Sequence, residues 1–128
     1  MDSLLTVDSL QVQFNTKKGI NTAVDGISFS VGKGEILGIV GESGCGKSVT
    51  SLSILRLLGT NARISQGSVK LEGRELLSLS EDDMCKIRGN EIAMIFQDPM
   101  TCLNPTKPVG KQIVEAIQHH RHLSKAEA

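Results

Sequence analysis

A glycine-rich stretch carries the residues best suited to chemistry. Residues 41–48 read GESGCGKS and fit the nucleotide phosphate-binding pattern G-x-x-x-x-G-K-[ST] without a mismatch. Glycines let the backbone curl around an anion, so that successive N–H groups and the start of the following helix can face it. The pattern predicts that Lys47 reaches the β- and γ-phosphates of a nucleoside triphosphate and that the Ser48 hydroxyl binds Mg²⁺. The candidate phosphate-binding residues are Gly41, Glu42, Ser43, Gly44, Cys45, Gly46, Lys47, Ser48 and Val49.

The segments on either side of this loop have the composition that such a site needs. Residues 35–40 form a short apolar run, which is typical of a strand buried on both faces of a parallel sheet. Residues 47–58 carry apolar side chains at every third position, which predicts a helix that covers the sheet. A second apolar run at 91–96 predicts another buried strand, and residues 109–123 predict a further helix.

The N-terminal part of the chain has a different pattern. Residues 4–14 and 22–31 have alternating character and are joined by a polar turn, which predicts an antiparallel strand pair. A strand with a turn at 67–73 and a short helix between Ser80 and Gly89 are predicted further on. The predicted fold class is therefore α/β, with a parallel sheet and helices of the P-loop NTPase type and an N-terminal antiparallel β subdomain.

Composition and length restrict the possible functions. The 128 residues suffice for one domain. The 14 Lys and Arg balance the 14 Asp and Glu, so the chain has no net positive charge that would indicate nucleic acid as a partner. No apolar run reaches the ~18 residues of a membrane span and the start lacks an export signal, which predicts a protein kept in the cytoplasm. The cysteines and clustered histidines match no metal-ligand spacing, and we interpret them as reduced thiols and a solvated helix end. They are Cys45, Cys85, Cys102, His119, His120 and His122.

A second candidate group lies where the apolar run at 91–96 ends. Residues 97–108 contain three prolines and must form a loop. Because ligands of open α/β sheets bind outside the carboxyl ends of strands, Gln97 could reach a γ-phosphate, its Mg²⁺ or an attacking water. From position alone, a polar residue at a strand end is more often without such a role. Residues 124–127 read as a capping box, and with the chain ending one residue later we expect a piece of a longer domain.

The phosphate-binding loop together with IFQDPMTCLNP at 95–105 resembles the ATP-binding subunits of ABC transporters. The similarity is greatest to the dipeptide, oligopeptide and nickel importer branch, which AVDGISF at 23–29 also resembles, and it extends from about residue 4 to the end. The resemblance implies ATP and Mg²⁺ as ligands, with Gln97 sensing the γ-phosphate from a loop at 97–105. It also implies transmembrane permease subunits and a second nucleotide-binding subunit, in a head-to-tail dimer, as partners at the cytoplasmic face of the inner membrane.

Several elements of that family are missing from this sequence. There is no L-S-G-G-Q signature, no apolar strand ending in Asp-Glu and no switch histidine after it. The family usually stacks an aromatic residue on adenine from the loop after the first strand, and Phe14 is the one candidate near that position in this sequence. We therefore expect residues 1–128 to be the N-terminal part of one nucleotide-binding domain, able at best to bind nucleotide with little turnover.

Two alternatives belong to other functional classes. A soluble P-loop kinase or GTPase would predict a substrate lid or a base-reading Asn-Lys-x-Asp motif, and neither is visible. A non-functional fragment would fold poorly because its sheet lacks strands, and exposed strand edges would make it aggregate.

Overall fold

A four-stranded antiparallel sheet and three helices form the regular structure of the residues that the computed structural model describes, which are 3–42, 44, 46–98 and 102–128. The chain divides into two compact units, Met1–Ser80 and Glu81–Ala128. The first unit holds the sheet and one helix, and the second holds two helices. The elements are β1 (Ser3–Thr16), β2 (Gly19–Gly32), α1 (Lys47–Ile54), β3 (Ala62–Leu71), β4 (Arg74–Glu75), α2 (Glu81–Ile87) and α3 (Val109–His120).

Strand β1 is the centre of the sheet, whose order is β2-β1-β3-β4. It pairs antiparallel with β2 and with β3, which confirms the predicted N-terminal strand pair. The buried side chains of β1 are Val7, Leu10 and Val12, so the spacing is three residues and then two. An irregularity in the register between Val7 and Leu10 accounts for the extra residue, with Ser9 at a φ of 52°. The bulge therefore keeps both apolar side chains on the core face.

Gly67 on β3 lies directly against this bulge. A Cβ atom at Gly67 would lie 2.6 Å from the Cα of Leu10 and 2.8 Å from the carbonyl oxygen of Ser9. The φ of Gly67 is 111°, a conformation that also favours glycine. The two backbones can approach this closely only because residue 67 has no side chain.

A tight hairpin connects β3 to β4. The turn residues Glu72 and Gly73 both have positive φ, at 49° and 82°, and Leu71 pairs with Arg74 across them. Two central residues of positive φ define the turn type that suits the twist of a two-residue hairpin. The Glu75 carboxylate then accepts hydrogen bonds from the Ser68 hydroxyl and the Val69 N–H, which fixes β4 on β3.

The structure contradicts the two predicted buried strands. Residues 35–40 and 91–96 form no strand, and Ile36, Val40 and Ile95 are each more than 90% exposed. Within the described ranges, the one parallel contact near them is the isolated bridge between Arg88 and Ile92. A parallel strand requires neighbouring strands and covering helices. None of the described residues supplies them, so apolar composition alone does not make these segments strands.

The helix predictions are confirmed in position and differ in extent. Helix α1 ends at Ile54 and α3 at His120, both before the predicted ends at 58 and 123. Helix α2 carries three acidic residues in its first turn and Lys86 in its last, as predicted from its charges. Ser124 accepts a hydrogen bond from the N–H of Glu127 at 3.2 Å, which is one half of the predicted capping box.

We predict that Gly67→Ala destabilises the first unit far more than Gly73→Ala. A Cβ at Gly73 meets nothing within 4 Å, so that substitution costs only the left-handed backbone, about 1–2 kcal/mol. At Gly67 overpacking adds about 1–3 kcal/mol to the same backbone cost. Urea unfolding of the two variants measures the difference, and equal losses would contradict the proposed contact between β1 and β3.

Candidate phosphate-binding site

The phosphate-binding loop leads directly into helix α1. Gly46 is the N-cap residue, with a φ of 100° and a ψ of 7°, and the helix begins at Lys47. Gly46 has no side chain to cap the helix, and the first turn contains no acidic residue. The positive end of the helix dipole is therefore not neutralised by the helix itself, which suits an anion. Ser43 and Cys45, two of the candidate residues, lie outside the described residues.

Lys47 folds back over the loop that precedes it. Its Nζ donates a hydrogen bond to the carbonyl oxygen of Gly41, the first residue of the motif. Its ammonium therefore lies beside the same backbone turn that would surround a phosphate. Ser48 is exposed, so its hydroxyl is accessible to a cation, whereas Val49 is half-buried. The structure thus places Lys47 against Gly41, and the role of these residues at a phosphate stays a prediction.

Strand β2 forms the platform under the loop. A Cβ atom at Gly46 would lie 3.0 Å from the carbonyl oxygen of Ala23 and 3.2 Å from the Cγ2 of Val24. Val24 is buried in the sheet. The position of the loop is therefore set by the antiparallel sheet. Motif reading did not predict this contact, although Ala23 and Val24 belong to the stretch at 23–29 that carries the family resemblance.

The buried face of α1 is more polar than predicted. The sequence favoured the apolar positions 49, 52, 55 and 58, and the structure buries Leu55 at the end of α1 together with Thr50 and Ser53, which were not predicted. The two hydroxyls donate to main-chain oxygens one turn back, Thr50 to Gly46 at 2.8 Å and Ser53 to Val49 at 2.6 Å. Since these bonds satisfy the hydroxyls, small polar side chains can face the core without cost from unpaired donors.

Arg56 fixes the other end of α1. The N–H of Leu57 donates to the Leu52 carbonyl at 2.9 Å and that of Arg56 to the Ser53 carbonyl at 3.1 Å. These bonds form a Schellman motif with Arg56 at the left-handed position, at a φ of 53°. Glycine is the usual residue there. The Arg56 guanidinium donates to the carbonyl oxygens of Leu76 and Leu79, which ties the helix to the segment after β4.

Gln97 belongs to the other compact unit. It is exposed and lies in a bend immediately after the extended segment 91–96. The carbonyl oxygen of Asp98 accepts a hydrogen bond from the Sγ of Cys102 at 3.1 Å, and residues 99–101 lie outside the described residues. Because Gln97 and the phosphate-binding loop are in different units, their joint role at a γ-phosphate or Mg²⁺ stays a prediction.

The histidines and two of the cysteines were also considered as candidate ligands. His119 and His120 form the last turn of α3, and their rings pack edge to face with centroids 4.6 Å apart. A ring nitrogen of His119 lies 3.3 Å from the carbonyl oxygen of Cys85. Cys85 and Cys102 are free thiols. Across the part of the chain that the structure describes, no group of three or more His, Cys, Asp or Glu could hold a metal ion.

Among the described residues, no helix is both long enough and apolar enough to cross a membrane.

Comparison with known proteins places the chain in a family. Residues 24–128 match the ABC transporter family, so the chain belongs to that family. It is 50% identical to the oligopeptide transport ATP-binding protein AppD of Bacillus subtilis, with 100% of this chain and 39% of AppD covered. It is 56% identical to the probable peptide ABC transporter ATP-binding protein y4tR of Sinorhizobium fredii, over 99% of this chain and 38% of y4tR.

A third relative is the oligopeptide transport ATP-binding protein OppD of Escherichia coli. It is 51% identical, and the match covers 99% of this chain and 37% of OppD. The chain therefore spans about two-fifths of the length of the curated relatives it matches.

We predict that Gly46→Ala moves the phosphate-binding loop away from β2. The added Cβ meets the main-chain oxygen of Ala23, which is held in the sheet, so the loop has to shift. Gly44→Ala is the matched control, because Gly44 also has positive φ but nothing lies within 4 Å of its Cβ position. NMR spectra should show changed amide shifts at Val24 in Gly46→Ala alone. Unchanged shifts in both variants would contradict the contact.

Proposed function

We propose that this chain is the N-terminal, phosphate-binding part of the ATP-binding subunit of a peptide importer. The observation that carries the proposal is the loop itself, where Lys47 lies over a glycine-rich turn at the start of α1. Family membership and the names of the relatives support the same conclusion. In the intact protein, ATP binding and hydrolysis would drive movement of transmembrane permease subunits at the cytoplasmic face of the membrane.

The residues present fit the phosphates of ATP. Gly44 and Gly46 have left-handed backbone conformations that let a loop turn around an anion, and no acidic side chain occupies the start of α1. Lys47 would exchange the Gly41 carbonyl for phosphate oxygens, and the exposed Ser48 hydroxyl would bind Mg²⁺. The cation neutralises phosphate charge when it is bound. These residues therefore provide positioning and charge for a triphosphate.

Hydrolysis needs more than this chain offers. Gln97 would sense the γ-phosphate in the proposed domain, but the sequence contains no Asp-Glu strand end and no signature motif. We propose that the exposed apolar segments 35–40 and 91–96 are covered in the intact subunit by strands from the part of the relatives that this chain does not match. A second nucleotide-binding subunit would then close over the loop.

Membership of the ABC transporter family counts against a soluble P-loop kinase or GTPase. The non-functional fragment is the remaining alternative, and the exposed Ile36, Val40 and Ile95 are the observation in its favour. Measurement of Mg-ATP binding distinguishes a non-functional fragment from the proposed phosphate-binding part.

We predict saturable binding of Mg-ATP to the 128-residue chain, measured by calorimetry. Lys47→Ala should weaken it at least about tenfold, because a hydrogen bond to a charged group contributes about 1.5–3 kcal/mol. Lys33→Ala is the matched control, since Lys33 is an exposed cation paired with Glu72 at 3.6 Å outside the loop. Equal affinity in the two variants, or no binding by a soluble folded chain, would refute the proposal.

We also predict that the chain alone does not turn over ATP at a rate typical of enzymes. The phosphate-binding loop supplies charge, but no carboxylate of the required motif is present to polarise water. Phosphate release should stay far below about 1 s⁻¹, and Lys47→Ala should not change it measurably. Turnover at that rate, abolished by Lys47→Ala, would show that the missing motifs are unnecessary.

A further inference from the structure

The start of α3 is fixed to the preceding loop by one side chain. The N-cap residue Pro108 makes no side-chain hydrogen bond to the helix, and the first turn has no acidic residue. Gln112, in that first turn, directs its carboxamide backward. Its Oε1 accepts a hydrogen bond from the Asn104 N–H at 2.9 Å, and its Nε2 donates to the carbonyl oxygens of Asn104 at 2.8 Å and Lys107 at 3.0 Å.

The geometry of these bonds is that of a peptide group. The carboxamide accepts from the N–H and donates to the C=O of the same residue, Asn104, as a neighbouring backbone would. It also reaches Lys107, so it bonds to both ends of the turn at 104–107. One side chain therefore closes this turn and attaches it to α3.

Burial of side chains does not explain the conformation of the turn at 104–107. Leu103, Asn104 and Lys107 are all exposed. Inside the turn, the Asn104 Oδ1 accepts hydrogen bonds from the Thr106 N–H at 2.9 Å and the Thr106 hydroxyl at 2.6 Å, and the Lys107 N–H donates to the Asn104 carbonyl at 3.2 Å. The conformation thus rests on hydrogen bonds, and Gln112 supplies the ones that connect it to a helix.

We propose that Gln112 is a positioning residue for the loop that carries Gln97, because its carboxamide fastens the second half of that loop to α3. The proposal rests on the proposed function, in which Gln97 acts at the γ-phosphate. Between Gln97 and the turn, the Cys102 thiol donates to the carbonyl oxygen of Asp98 at 3.1 Å. This hydrogen bond links the residue that follows Gln97 to a residue two positions before Asn104. Gln112 limits where Gln97 can lie, although it does not itself contact nucleotide.

Hydrogen exchange of the 128-residue chain tests the role of Gln112. Gln112→Met keeps the length of the side chain and removes both donor and acceptor. We expect exchange at the Asn104 amide to become at least about tenfold faster, the result of losing roughly 1.4 kcal/mol, and the NMR order parameter of the exposed Gln97 amide to fall. Gln118→Met is the matched control on the same helix, where the Gln118 Nε2 makes only a 3.4 Å contact with the Leu123 carbonyl. Unchanged exchange at Asn104, or a change that stops short of Gln97, would overturn the proposal.

Gln112→Glu tests whether donation to the two carbonyl oxygens is needed in addition to acceptance from the Asn104 N–H. The ionised carboxylate still accepts from the Asn104 N–H but opposes the carbonyl oxygens of Asn104 and Lys107. A protonated carboxyl can donate again, so the folded turn favours protonation. Protection at Asn104, corrected for intrinsic exchange, should therefore be low at neutral pH and recover as pH falls toward the ordinary carboxyl range near ~4.3. Protection that stays as low as in Gln112→Met at every pH would overturn the role.

Calorimetry of the same variants separates this inference from the proposed function. Mg-ATP affinity should be equal in the unsubstituted chain and Gln118→Met, because the Gln118 carboxamide contacts the Leu123 carbonyl and not the Gln97 loop. If none of them binds Mg-ATP, the proposed function fails while the exchange data still decide whether Gln112 holds the loop. An equal loss of affinity in Gln112→Met and Gln118→Met would contradict a role specific to the Gln97 loop.

Discussion

The contact between Gly46 and strand β2 is the constraint on which the candidate site depends. A phosphate-binding loop needs a fixed starting point for its helix, and here Ala23 and Val24 provide it. Strand β2 is held in turn by β1, whose bulge brings it against Gly67. Two glycines thus allow two close approaches of the backbone. Gly67 allows the one within the sheet, and Gly46 allows the one between the sheet and the loop. The position of Gly46 in the candidate site is therefore set by the antiparallel sheet.

The sequence was sufficient for the elements whose signals are local. The N-terminal strand pair, the start of α1 after the glycine-rich motif and the charge pattern of α2 each follow from neighbouring residues, and the structure has them where the sequence predicts them. Residues 35–40 and 91–96 show the limit of this reasoning. Their apolar composition is typical of a buried strand, but a strand forms only where a neighbouring strand supplies backbone hydrogen bonds. Composition carries no information about that neighbouring strand.

Contacts between distant residues were harder to predict for a related reason. Thr50 and Ser53 can be buried because their hydroxyls bond to the preceding turn of α1, so a pattern based on apolar side chains finds Leu55 but misses these two positions. Arg56 occupies a position usually held by glycine, and hydrogen bonds from its guanidinium to carbonyl oxygens 20 and 23 residues later in the chain stabilise it there. The signals that could have revealed such sites are a polar residue inside a helix and a glycine inside a strand, as at Gly67. Each signal predicts that a close contact exists, but it does not predict which residue makes that contact.

The arrangement separates holding a phosphate from acting on it. The groups that would hold it come from one continuous stretch and from the strand beneath it, all within the first unit. Gln97 lies in the second unit, on a loop whose far end is attached to α3 by Gln112. A local anion site can form wherever its own sheet forms, because its donors are mainly backbone N–H groups and one lysine. Positioning a water against a γ-phosphate requires groups from separate elements to converge, and in the proposed function the strands that cover segments 35–40 and 91–96 would bring those groups together. Nucleotide binding should therefore be the more robust property of this chain, and hydrolysis the property that requires a completed sheet.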